Sequence, residues 1–161
     1  MEFPPVIRLT RITDYGIVLM SYFARERDPI MHSARDVSQA ARLPLPTVNK
    51  ILKILTRKGL LVSHRGVKGG YSLARKPEEI SMADIITATE GPVAITLCTT
   101  SFPGNCSQEQ VCPIHGNWQK INGAIRQALE SVSLSEMART FPGHAPGPIS
   151  PGSIGIAARV S

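Results

Sequence analysis

Cys98, Cys106, Cys112 and His115 fall within eighteen consecutive positions of a 161-residue chain. Seven residues separate the first two cysteines, five separate the next two, and the histidine stands three beyond Cys112. Thiolates and imidazole suit iron-sulfur clusters and zinc and are poor ligands for magnesium or calcium. Three crowded cysteines, an odd number, argue against a secreted disulfide scaffold and for a local metal or redox site. With His115 they make a full tetrahedral zinc set, but zinc sites normally contain a tight Cys-x2-4-Cys pair and this loop has none, so the wide spacing favours a cluster. Mixed Cys and His ligation occurs in two-iron clusters, so a 2Fe-2S cofactor is preferred to 4Fe-4S. Pro113, a favoured first helical residue, makes Cys112 the expected cap of a helix, with Cys112 and His115 one turn apart on a common side.

A second set of residues points to nucleic acid. After Pro46, Val48, Ile51, Leu52 and Leu55 recur at i, i+3, i+4 and i+7, which turns them inward and leaves Thr47, Asn49, Lys50, Lys53 and Arg57 outward. Asn49 can make two hydrogen bonds to an adenine edge, Thr47 can touch a thymine methyl, and Lys50 and Lys53 can neutralise phosphates. Leu60 to His64 and Tyr71 to Ala74 read as two short strands joined by a basic, glycine-rich turn. Arg65 at its tip fits a minor groove, with Lys68 beside it on the backbone.

These groups need a scaffold. A first helix runs from about Thr13, with Thr13 or Asp14 as its cap, to Arg25. Ser33 and Asp36 open a short second helix as a capping box, and Arg42-Leu43-Pro44 ends it. The third helix carries the outward polar set and stops at Gly59. The order of short helix, turn, amphipathic helix and basic hairpin is that of a winged helix-turn-helix. Ser81 and Asp84 open a fourth helix that Gly91-Pro92 ends. From Pro113, Ile114, Trp118, Ile121, Ile125, Ala128 and Val132 follow steps of 4, 3, 4, 3 and 4, a heptad-like seam on a long helix that needs a partner.

The expected fold is therefore mainly α with a small β-hairpin: a winged helix-turn-helix at 8–80, then a cluster-binding loop and long dimerisation helix at 81–137. Residues 138–161, where several Pro-Gly pairs follow Pro142, read as a disordered tail. Eighteen Lys and Arg against twelve Asp and Glu give a formal charge of +6, which suits a polyanionic partner. No apolar run reaches the ~20 residues of a membrane span, and no leader precedes the first helix, so a cytoplasmic protein without a membrane partner is expected. Enzyme readings are poorly supported. Gly66, Gly69 and Gly70 lack the strand-to-helix context and Lys-Ser/Thr ending of a phosphate loop, and the cysteines lack a Cys-x-x-Cys pair.

Arg8-Leu9-Thr10, Asp14-Tyr15, Lys58 to Val62, Arg65-Gly66, Gly69-Gly70-Tyr71 and Glu90-Gly91-Pro92 resemble the IscR/NsrR family of winged-helix iron-sulfur regulators. The cysteine spacing with Gly116-Asn117-Trp118 looks most like regulators of the SUF iron-sulfur assembly operon. The resemblance implies a homodimer with crossed long helices, a cluster held by Cys98, Cys106 and Cys112, with His115 matching a histidine ligand, and binding to a double-stranded promoter palindrome. Cluster state would then tune repression of iron-sulfur assembly genes. Alternatives are a nitric-oxide-sensing repressor with a four-iron cluster and a zinc-stabilised DNA-binding protein. Pro44, Pro46 and Asn49 depart from the IscR pattern near the reading helix, which implies a different operator.

Overall fold

The computed structural model describes residues 8–25, 31–99, 107 and 111–139. Helix α1 spans Arg11–Arg25, α2 Ala34–Ala41 and α3 Leu45–Arg57, followed by β1 (Leu61–His64) and β2 (Gly70–Leu73). After a one-turn 3-10 segment at Pro77–Glu79 come α4 (Met82–Glu90), a second such segment at Leu97–Thr99, α5 (His115–Glu130) and α6 (Leu134–Arg139). The architecture is helical with one antiparallel hairpin, as the patterning implies.

The apolar stripe of α3 forms the centre: Val48, Ile51, Leu52 and Leu55 are fully buried, against Leu19 and Met20 of α1, Val37 of α2 and Ile85 of α4. Removing any of these large side chains leaves a cavity, at a typical cost of about 2 to 5 kcal/mol for Leu or Ile to Ala. Two capping boxes set the helix starts. Ser33 accepts from the Asp36 N–H at 3.2 Å while Asp36 accepts from the Ser33 N–H at 3.1 Å, and Ser81 pairs with Asp84 in the same way. α2 closes on Arg42, whose φ of 51° is left-handed and whose successor, Leu43, donates its N–H to the Ser38 carbonyl.

The hairpin pairs Leu61 with Leu73 and His64 with Gly70. It is tied back to the helices by a bridge in which His32 and Tyr71 exchange backbone hydrogen bonds of 3.1 and 2.9 Å. Gly70 is required at that contact, because a Cβ there would lie 2.6 Å from the His32 carbonyl oxygen.

Three local expectations are corrected. α1 begins at Arg11 and is capped by Thr10, which accepts from the Thr13 N–H at 3.4 Å, rather than by Thr13 or Asp14. Thr13 is wholly buried instead, its hydroxyl 2.8 Å from that of Thr89 on α4. Cys112 does not cap the long helix: α5 starts at His115 with Ile114 in the cap position, and Cys112 accepts the His115 N–H through its carbonyl in the preceding turn. Chain order also extends past 137, because α6 follows a break at Ser131–Ser133 and returns to the first domain. Leu134 is fully buried there, its N–H bonded to the Ile80 carbonyl at 2.8 Å. A six-residue helix is too short to reveal itself by period. The tail predicted beyond it lies outside the described residues from position 140 on.

Candidate nucleic-acid interface and metal centre

α3 buries its apolar stripe and leaves Lys50, Lys53 and Arg57 exposed, with Thr47 and Asn49 half-exposed on its first turns. Arg65 and Lys68 are exposed in the hairpin loop. Among the described residues no hydrogen bond or ion pair engages any of these side chains, so they are available to a ligand. All six residues picked out for DNA thus lie at least partly exposed, four on α3 and two in the hairpin loop.

One signal in the sequence went unused. From 37 to 77, the stretch from the second half of α2 through α3 and the wing, the chain carries nine of its eighteen Lys and Arg and none of its twelve Asp and Glu. The remainder of the chain carries nine Lys and Arg against twelve Asp and Glu, so the excess of positive charge falls in this stretch. Arg42, exposed in the turn before α3, adds to that field and was not singled out beforehand. Such a polarised charge distribution steers a polyanion to one face and makes its binding salt-dependent.

A second site lies at the start of α5. Cys98 sits in the Leu97–Thr99 turn, half-buried, with its thiol 3.2 Å from the Thr96 hydroxyl. Its carbonyl accepts a 2.7 Å hydrogen bond from Gln119 of α5. Cys112 and His115 lie three residues apart in the turn into α5, both half-buried, and Cys106 lies outside the described residues. Nδ1 of His115 is buried and has no hydrogen-bond partner among the described residues. A buried imidazole nitrogen with nothing to bond is costly. Imidazole nitrogen and the free thiols of Cys98 and Cys112 are the donor types that soft and borderline metal centres take up. The residues present thus fit a thiolate and imidazole-ligated group. Among the described residues no group of three ligand side chains is assembled, so Cys98, Cys112 and His115 are not gathered around one point.

Asn122, missed at the sequence level, ties α5 to the segment that leads into Cys98. It is 8% exposed on α5; its amide oxygen accepts from the Ile95 N–H at 3.2 Å and its amide nitrogen donates to the Val93 carbonyl at 3.1 Å. It therefore holds the irregular segment that leads from α4 to Cys98. Another stripe of α5 is partly open: Ile114, in the cap position, and Ile121 are 49% and 46% exposed, Ala128 is exposed, and Trp118 and Ile125 are half-buried. An open cleft of about 450 Å³ separates α4 from α5, but two of its three cations are already paired, Arg75 with Asp84 and Arg126 with Glu130.

The Rrf2 family of iron-dependent transcriptional regulators matches residues 9–140. The chain belongs to that family. It is 26% identical over 131 residues to the HTH-type transcriptional regulator NsrR of Shouchella clausii, covering 81% of this chain and 88% of that one. Among solved structures, T. potens IscR superposes with a TM-score of 0.60 at 26% identity, over 83% of this chain and 88% of that one. CymR, the global cysteine regulator of B. subtilis, superposes at 0.65 with 24% identity, over 84% and 98%. The protein is accordingly a DNA-binding transcriptional regulator and not an enzyme. No helix among the described residues is long and apolar enough to cross a membrane. Because the relatives carry the names of different regulators, family membership does not itself assign a signal to this chain.

Proposed function

We propose that the protein is a cytoplasmic, homodimeric repressor of iron-sulfur assembly genes whose affinity for a promoter palindrome is tuned by a bound 2Fe-2S cluster. Cys98, Cys106 and Cys112 supply thiolate ligands and His115 the remaining position. The observation that carries this reading is the buried Nδ1 of His115, which has no partner among the described residues, three positions after Cys112 and on the same helix whose Gln119 holds Cys98. When bound, the group supplies a redox-labile centre, more so with a histidine in its ligand set.

The chain's own residues then do the coupling. Gln119 fixes the backbone of Cys98, and Asn122 fixes the segment from Val93 to Ile95 that joins this cysteine to α4. α4 ends in Glu90, which bonds Thr10 and Thr13 at the start of α1. A change in the cysteine loop is thereby felt where the reading head is anchored. The partly open stripe of α5, from Ile114 to Ala128, is the surface for the second copy. Dimerisation presents two reading helices, as a palindrome requires.

The test is anaerobic purification, a visible spectrum, and assay of iron, acid-labile sulfide and zinc per chain. The proposal expects two irons and two sulfides, with bands between about 400 and 600 nm for a thiolate-held cluster, and expects Cys106→Ser to abolish the colour. Four irons would favour the nitric-oxide sensor instead, while stoichiometric zinc without colour would end the cluster reading and leave the DNA-binding one standing.

A further inference from the structure

We propose that Val67, at the tip of the wing, reads DNA shape: its apolar side chain seats on the minor-groove floor and selects A·T over G·C pairs beneath it. The proposal rests on the DNA-binding reading of the head and goes beyond it, because Val67 has neither charge nor hydrogen-bonding group.

Val67 is 107% exposed, so the folded chain makes no use of it, whereas the other exposed large apolar residues retain more cover, between 41% and 75% exposed. A hairpin tip in water is normally Gly, Asn, Asp or Pro, residues that either satisfy the turn backbone or need no burial. Val67 is one of the two central residues of a turn closed by the Gly69 N–H bonding the Gly66 carbonyl at 3.0 Å. The loop is held tightly. A Cβ on Gly69 would lie 2.3 Å from the His64 carbonyl oxygen, and the base of the hairpin is bridged to His32. The tip is thus a stiff prong bearing one branched apolar group, with Arg65 and Lys68 on either side of it. Lys68 suits the phosphate backbone beside a minor groove that Arg65 also enters, and that groove is about 6 Å wide, room for a valine and not for a helix.

The chemistry of the floor gives the selectivity. An A·T pair presents adenine C2–H and two acceptors, whereas a G·C pair adds the guanine N2 amino group. An isopropyl group pressed on that donor buries it without a partner, which is penalised, while on adenine C2–H it meets a carbon.

Inosine separates this from major-groove reading, because an I·C pair has the major-groove face of G·C and the minor-groove face of A·T. Duplexes are selected from a random pool by the full-length protein, and each A·T pair is exchanged in turn for G·C and for I·C. The expected result is a position in each half-site where G·C weakens wild-type binding about tenfold, in the usual range for one mismatched pair, and where I·C binds as A·T does. Val67→Gly and Val67→Asn should lose that discrimination while keeping the wild-type salt dependence, and their melting temperatures should match wild type because the side chain touches nothing. Absence of any position rescued by inosine, or A·T preference retained in Val67→Asn, overturns the role of Val67 and leaves the regulator intact. If the wild-type protein selects no duplex at all, the DNA-binding reading and this one fall together.

Discussion

Glu90→Ala should lower the melting temperature of the protein at neutral pH and do so far less in acid. One oxygen of Glu90 accepts the Thr10 N–H at 2.7 Å and the Thr13 hydroxyl at 2.6 Å, so the last residue of α4 closes the first turn of α1. Its position at the positive end of α1 adds to the attraction. Burial alone would raise the Glu90 pKa, but the hydrogen bonds from Thr13 and Thr10 outweigh it and hold the carboxyl below its ordinary 4.5. A folded pKa below the unfolded one means that the stabilisation is fully present above about pH 4.5 and is lost as pH falls through the folded value. Bonds to a charged acceptor contribute about 1.5 to 3 kcal/mol each when shielded. This carboxylate is exposed and the orphaned Thr13 hydroxyl keeps Thr89 at 2.8 Å, so a combined loss of about 1 to 2 kcal/mol is the better figure. For a domain of this size that is a fall of roughly 3 to 8 °C. Glu90→Gln, which retains an acceptor without the charge, should lose about half as much. The measurement is thermal unfolding of metal-free protein by circular dichroism at pH 7 and pH 3. A melting temperature unchanged at pH 7, or a deficit just as large at pH 3, would refute the charged-cap argument.

Asn49→Ala should relax base preference at one position of each half-site at a cost of about 1 to 3 kcal/mol; selection from a random pool that returns the same consensus would remove Asn49 from the reading set. Lys53→Ala should weaken binding to all duplexes alike and reduce the salt slope by about one, whereas a loss confined to particular sequences would contradict its phosphate role. Ile121→Glu places a charge in the exposed stripe of α5, and sedimentation should report monomer at concentrations where wild type is dimeric. Since Asn122 and Leu129 face the rest of the chain, helix content should not change. A dimer of undiminished affinity would show that the second copy docks elsewhere.

The reading head was legible because its signals are local. The i, i+3, i+4, i+7 spacing of Val48, Ile51, Leu52 and Leu55, the Ser33 and Ser81 capping boxes, and the glycines of the wing each act over a few residues, and each recurs in the fold. The candidate ligands could be picked out by residue type and crowding, and the family to which the chain belongs supports a transcriptional regulator. What escaped depended on partners far away in sequence. Thr13 looked like a cap because nothing nearby shows that Thr89 and Glu90, 76 and 77 positions on, claim its hydroxyl. α6 exists because Ile80 and Val132 offer backbone groups to Leu134 and Met82, contacts that no short period encodes. Pro113 signalled a helix start, but the chain turns once more before His115, and that turn leaves Nδ1 of His115 buried without a partner. Sequence alone thus determined which groups are present and which faces of each helix are apolar, since both follow from residue type and spacing. Tertiary structure decided which polar groups end satisfied and which are left over, because that depends on segments meeting across the fold.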